Sequence, residues 1–200
     1  MVESHSPQHL RLFIAIAVPD PVKAQIKTTQ DQLRMSLERG AVRWTKPDQF
    51  HLTLRFLGRI EAGLVEPLVN ALRAVCQSAR SLQLRACGIG FFPNARTPRV
   101  VWIGVQDSGQ RLGALQQAVQ QATQRFTAEK AEERFNGHIT LGRINHLSRN
   151  DMDALARTAG RFSETSFGEW RARELQLMRS ELSSEGVHHK LLVAFPLTDP

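Results

Sequence analysis

The apolar positions of this chain switch repeatedly between two periods. Short runs rich in β-branched and aromatic residues alternate with longer stretches whose apolar residues recur every three or four positions, the pattern of strands alternating with amphipathic helices. Leu12 to Val18 reads as a strand that ends at Pro19-Asp20-Pro21. A helix follows to about Arg39, with Asp20 as its cap, Pro21 at its first position and Gly40 as its stop. Val42-Arg43-Trp44 is a strand or loop, Lys46-Pro47-Asp48 a turn, and Phe50 to Leu57 a strand closed by Gly58. Leu64, Leu68, Leu72 and Val75 mark a helix from about Leu64 to Arg80, and Leu82 to Phe92 is again strand-like.

After the turn Pro93-Asn94-Ala95-Arg96 the order restarts. Val100 to Val105 is a strand, Gly109 to Phe126 a glutamine-rich helix, Phe135 to Ile144 a strand, about Asn150 to Thr158 a helix and Arg173 to Arg179 a strand. Leu191 to Phe195 closes the chain, and residues 1–9 form a polar tail before a single unit spanning 10–200. The two copies, approximately 10–92 and 98–180, keep register: a shift of 87 residues carries Ile16 onto Ile103, Val18 onto Val105 and His51 onto His138. The sequence is therefore a structural duplication of strand, helix, strand, helix, strand. Two such units packed face to face would bring their second strands together across a pseudo-two-fold axis.

Those second strands carry the chemistry. One reads HLTL at 51–54 and the other HITL at 138–141. Residues two apart on a strand share a face, so His51 and Thr53 point one way and Leu52 and Leu54 the other, and the second motif repeats this. With the leucines in the cores, two imidazoles and two hydroxyls face a shared cleft. Cleaving a phosphodiester needs a base on the attacking oxygen and an acid on the leaving one, and histidine serves either role near neutral pH. Threonine hydroxyls can donate to non-bridging phosphate oxygens and an arginine can add a charged planar fork. Such a site requires no metal and no cofactor. A single histidine of this kind reads as a structural residue; two at equivalent points of a duplication read as one site.

Composition narrows the setting. With 42% hydrophobic residues the 200-residue chain can bury a substantial core. The net charge of +7 favours polyanionic partners such as nucleic acid. Two cysteines, Cys76 and Cys87, with no CxxC, argue against a zinc site and a disulfide framework. No apolar run approaches membrane-spanning length, and the N-terminal apolar stretch lacks a cleavage site, so no membrane association and a cytoplasmic location are expected.

The paired HLTL and HITL, with RLFIAIAVPD, VRWTKPDQFHLTLRFLG, GIGFFPNARTPRVVWIGV and FNGHITLGRI, resemble the two-histidine phosphoesterase superfamily, and within it the bacterial and archaeal RNA 2′,3′-cyclic phosphodiesterases, once named 2′-5′ RNA ligases. The resemblance runs from about Leu12 to Leu197. It implies a bilobal α+β fold with antiparallel sheets lining a central cleft and helices outside. The implied reaction is metal-free hydrolysis of an RNA 2′,3′-cyclic phosphate end to a 2′-phosphomonoester, with reversible 2′-5′ joining as a weaker activity, by a chain expected to act as a monomer. Carried over, His51 is the proton donor to the 3′-oxygen and His138 the proton acceptor from water. Thr53, Thr140 and Arg143 hold the phosphate, and Phe56 stacks on the terminal base. The chain departs from the family in having Gly137 where proline often precedes the second histidine, which implies a more flexible approach to the motif. A C-terminal serine, glycine, tyrosine pattern reads here as Ser180, Gly186 and His188.

Strict alternation turns Phe56 and Arg143, each five residues after its histidine, away from the cleft. Either the strands end or bulge first, with Gly142 well placed for a bulge, or these two assignments fail and Phe56 is a core residue. His188-His189 reads as a loop before the last strand, and Trp44 and Trp102 as core or lobe-interface residues rather than base platforms. A small cyclic nucleotide or a 2′-5′ oligonucleotide is an alternative substrate, and a non-catalytic RNA-binding module an alternative function.

Overall fold

The computed structural model describes residues 9–184 and 186–199, so of the N-terminal tail only His9 lies within it, where it opens the first strand. In chain order the elements are β1 (His9–Ala17), α1 (Asp20–Met35), β2 (Val42–Trp44), β3 (His51–Glu61), α2 (Val65–Ser78), β4 (Leu82–Phe92), β5 (Val100–Asp107), α3 (Leu112–Thr123), β6 (His138–Ile144), α4 (Arg149–Gly160), β7 (Ser166–Ala172), β8 (Glu174–Ser183) and β9 (Gly186–Pro196). The pattern of apolar positions placed most of them. Asp20 is not the cap of α1: Pro19 holds the capping position in extended conformation, and Asp20 lies in the first turn, where its charge still complements the helix dipole. The helix stops at Met35, before the Gly40 turn with its φ of 86°. β7 has no counterpart among the expected strands, because Phe167, Trp170 and Ala172 are buried in an edge strand too short to show a clear period. His188-His189 is not a loop but part of β9, paired along its length with β8.

Among the described residues the strands form one curled antiparallel sheet in the order β7-β4-β5-β6-β3-β1-β8-β9, with β2 added on β6. This order is a palindrome. Its centre is the junction of β3 and β6, and the described register there is the single pair Leu52↔Ile139, the residues that follow the two motif histidines. An antiparallel pair in which equivalent residues face each other is the local form of a two-fold axis, so the pseudo-dyad passes between Leu52 and Ile139. The sheets expected on either side of the cleft are thus joined into one.

The third strands of the two copies change places. β4 follows α2 in sequence but lies beside β5 of the second copy, whereas β8 lies beside β1 of the first. Gly90 opposite Trp102 has its counterpart in Gln176 opposite Ala15, so β4 maps onto β8 with a shift of 86 residues, one fewer than the 87 that carry β1 onto β5. Neither half of the chain can complete its sheet without the other. The helices cover the outer face, α1 against α4 and α2 against α3. Their apolar stripes, among them Ile26 and Leu33, Leu68 and Leu72, and Leu115 and Val119, meet Leu52, Leu54, Ile139 and Leu141, each at most 1% exposed. Fully burying a side chain of this size is worth roughly 1.5–3 kcal/mol. That burial fixes which face of β3 and β6 points inward, and leaves the histidine face to the concave side.

Candidate active site

His51 opens β3 and His138 opens β6, one residue from the dyad on either side. The antiparallel junction puts His51 on the side of Thr140 and Thr53 on the side of His138, and all four side chains are half-buried on one face. Among the described residues neither threonine hydroxyl has a hydrogen-bond partner. Both imidazoles are held the same way. His51 Nδ1 lies 2.7 Å from the Gln49 carbonyl and His138 Nδ1 2.8 Å from the Asn136 carbonyl, each two residues upstream. A carbonyl can only accept, so Nδ1 carries a hydrogen in both rings. The neutral imidazoles therefore keep their lone pairs on Nε2, and the protonated ones donate from Nε2.

The rings sit in aromatic surroundings. His51 lies 5.0 Å from Phe13 and edge-on to His189 at 5.3 Å, and His138 lies edge-on to Phe92 at 4.9 Å and 6.1 Å from Trp102. Burial disfavours the charged form, lowering the His51 pKa to about 4 despite the opposing pull of the Gln49 carbonyl; His189, His138 and Lys23 lower it further. His138 is lowered by burial too, against the pull of Asn136 and with the help of Arg143. Positive charge on His138 thus disfavours charge on His51, and Arg143 disfavours charge on His138.

The conflict over Phe56 and Arg143 is resolved by two bulges. In β3, Thr53 faces Ala15 and Arg55 faces Ile14, leaving Leu54 as an extra residue. In β6, Thr140 faces Trp102 and Gly142 faces Val101, leaving Leu141 extra. These are equivalent positions, the last leucine of each motif, so the bulge expected at Gly142 lies one residue earlier. Gly142 instead admits β2, since a Cβ there would come within 2.6 Å of Val42. Each bulge turns the strand by one residue. Phe56 comes back to the concave face, its ring 6.1 Å from Phe13 and 55% exposed, and so is not a core residue. Arg143, its equivalent in the second copy, turns the same way and is exposed.

A bulge frees a carbonyl from the ladder, and here a buried glutamine meets each one. Gln30 of α1 donates to the Leu141 carbonyl at 2.9 Å and to the Thr45 carbonyl at 2.8 Å. Gln116 of α3 donates, at a longer 3.5 Å, to the Leu54 carbonyl. The sequence carries a signal for both: Ile26, Gln30, Leu33 and Leu112, Gln116, Val119 are apolar stripes with one amide at the same step. The Leu141 carbonyl also accepts the Thr45 N–H at 2.8 Å. Gln30→Leu therefore leaves the Thr45 carbonyl without its partner and the Leu141 carbonyl with one donor in place of two, and the expected loss in urea unfolding is about 1–2 kcal/mol. Gln116→Leu, giving up a longer contact, is expected to lose less; equal stability of parent and Gln30→Leu protein would refute this role.

A family model described as LigT like Phosphoesterase matches residues 16–102 and again residues 103–189, the second match beginning 87 residues after the first. The chain belongs to this family. Among relatives of the LigT-like phosphoesterase, an RNA 2′,3′-cyclic phosphodiesterase of Thermus thermophilus is 32% identical, with 94% of this chain and 90% of that protein covered. The enzyme of the same name from Archaeoglobus fulgidus is 29% identical, with 93% and 99% covered. A solved Thermus thermophilus structure superposes with a TM-score of 0.77 at 26% identity over 95% of this chain and 99% of that one. E. coli LigT complexed with 3′-AMP, at 23% identity, shares the fold with a TM-score of 0.76 over 96% and 100%.

Within this LigT-like phosphoesterase several cleft residues are not evident from the motifs. His189, not His188, reaches the site: it faces Ser180 across β8 and β9, touches Phe13 at 4.8 Å, and its Nδ1 is buried with no hydrogen-bond partner among the described residues. Trp102 is a cleft residue rather than core, its indole lying over Gly90, where a Cβ would come within 2.2 Å. Trp44, by contrast, packs against the core, as expected. Gly137 is held rather than loose: it is buried, its carbonyl accepts the Val105 N–H at 2.8 Å, and a Cβ would meet the Val105 carbonyl at 2.9 Å. Among the described residues no helix is long and apolar enough to cross a membrane, and no group of three His, Cys, Asp or Glu side chains is placed to hold a metal ion.

Proposed function

We propose that the cleft hydrolyses RNA 2′,3′-cyclic phosphate ends to 2′-phosphomonoesters without a metal. The observation that carries this reading is the dyad-related pair of imidazoles, each with Nδ1 pinned to a carbonyl and Nε2 left for substrate. His138 Nε2 takes a proton from water as the water oxygen attacks phosphorus. The bond from phosphorus to the 3′-oxygen breaks in line, and His51 Nε2–H gives its proton to that oxygen. Thr53 and Thr140 donate to the non-bridging oxygens, and Arg143 adds positive charge where negative charge accumulates. Phe56, exposed beside Phe13, stacks on the terminal base. With a ribose 5′-hydroxyl in place of water the same displacement makes a 2′-5′ bond, and reversal exchanges the acid and base. The names of the relatives agree with this substrate class.

Burial of the two imidazoles suits the base and opposes the acid in the free protein. The base has to be neutral in the free protein, and burial keeps it so. The acid has to be protonated, and a bound phosphate anion supplies the charge that raises its pKa in the complex. An RNA oligonucleotide ending in 2′,3′-cyclic phosphate, incubated with the protein and excess chelator, is expected to yield the 2′-phosphate, with the kcat profile displaced to higher pH than that of kcat/KM. A 3′-phosphate product would mean that the 2′-oxygen departs and that His51 is misassigned. Binding of RNA without turnover would make the cleft a passive module.

A further inference from the structure

The palindromic sheet is broken by one strand. β2 pairs with β6 beside the dyad, yet residues 129–131, 87 positions on, lie outside any strand. β2 sends Val42 into the core, sets Trp44 against Gly142, and exposes Arg43. Arg43 faces Arg143 directly; Arg143 in turn faces Val100, and Val100 faces Phe92, whose ring touches His138. Directly opposed residues of an antiparallel ladder share a face, so this row places Arg43 on the concave side, one strand beyond Arg143. Like charges directly opposed across a ladder are unfavourable, and among the described residues neither guanidinium has an acidic partner. Val42 and Trp44 suffice to pack the strand, so packing does not call for Arg43.

We propose that Arg43 and Arg143 form a second anion subsite, which holds the phosphodiester next to the reacting cyclic phosphate and so selects an RNA end over a mononucleotide. This rests on the reading of the cleft as a cyclic phosphodiesterase. Two guanidinium forks side by side suit a phosphate diester, whose two non-bridging oxygens can accept from both. Arg143 lies between the histidine and Arg43 and can reach either phosphate; Arg43 has only the second within its range. A mononucleoside cyclic phosphate has no group to offer it.

The test compares kcat/KM for a short oligoribonucleotide ending in 2′,3′-cyclic phosphate with kcat/KM for the corresponding mononucleoside 2′,3′-cyclic phosphate. In Arg43→Gln the ratio of the two is expected to fall about tenfold, chiefly through KM of the oligonucleotide. The salt dependence of that KM is expected to flatten by about 0.7 in log–log slope, the value for one contact to a single strand, and Arg43→Lys is expected to restore most of it. Arg34→Gln, an exposed charge change on the helix layer, controls for net charge and is expected to leave the ratio unaltered. An unchanged ratio in Arg43→Gln overturns the subsite, as does an equal fall for both substrates. If the parent protein turns over neither substrate, the hydrolytic reading fails by itself, and the dissociation constants of the oligonucleotide and of the mononucleotide for parent and Arg43→Gln proteins decide the arginine pair by the same two criteria.

Discussion

His51→Ala and His138→Ala are each expected to lower turnover of an RNA 2′,3′-cyclic phosphate by about 10²–10⁴-fold, the usual worth of a positioned proton transfer. The two losses should not multiply. Removal of the water proton and delivery of a proton to the departing oxygen belong to one displacement, and groups that act as a unit are strongly non-additive. The double variant is therefore expected to fall little below the weaker single one, leaving what Thr53, Thr140 and Arg143 supply. The roles separate by leaving group. A phosphodiester that releases a phenolate needs no proton on departure, so the variant lacking the acid should recover most of its rate on it while the variant lacking the base should not. The assignment above puts His51 in the first class; recovery by His138→Ala instead would exchange the labels. Retention of full activity by both single variants would remove the site from this cleft altogether.

How much of this was legible before the coordinates depends on the kind of information each residue carries. His51, Thr53, His138 and Thr140 were legible because strand alternation is a local rule and the duplication states it twice. Phe56 and Arg143 contradicted that rule, and the contradiction itself pointed to a bulge. The exact bulged residue was hidden, because it depends on which residues of β1 and β5 lie opposite. The exchange of β4 and β8 between the halves was hidden for a related reason: the shift of 87 residues shows that segments are equivalent, and says nothing of which neighbour each one pairs with. Arg43 and His189 lie on strands brought to the cleft by long-range pairing alone, and no spacing in the sequence links them to the motifs. The glutamines stand between these extremes, since a lone amide in an apolar stripe announces a buried carbonyl without saying whose.

The depressed imidazole pKa values give the fold a built-in sensitivity to acid. In the unfolded chain His51 titrates near its ordinary 6.5, whereas in the folded protein it titrates at about 4. Between these values the unfolded state binds more protons than the folded one, so the associated stability is fully present above about pH 6.5 and is lost as the pH falls toward 4. For His51 alone the loss is about 2 kcal/mol by pH 5 and about 3 kcal/mol in all. His138 and His189 are lowered as well and add in the same direction. Against a total of roughly 5–15 kcal/mol for an ordinary domain, this is a large share. Denaturant unfolding at pH 7.5 and pH 5 is expected to show His51→Gln losing about 2 kcal/mol less than the parent over that interval. Inorganic phosphate, by favouring the charged imidazoles, is expected to stabilise the parent more at pH 5.5 than at pH 8, and His51→Gln and His138→Gln less than the parent at the lower pH. Parallel pH dependences in parent and His51→Gln proteins would show that the His51 ring is as well solvated in the fold as in the open chain, and would remove burial as the cause of its low pKa.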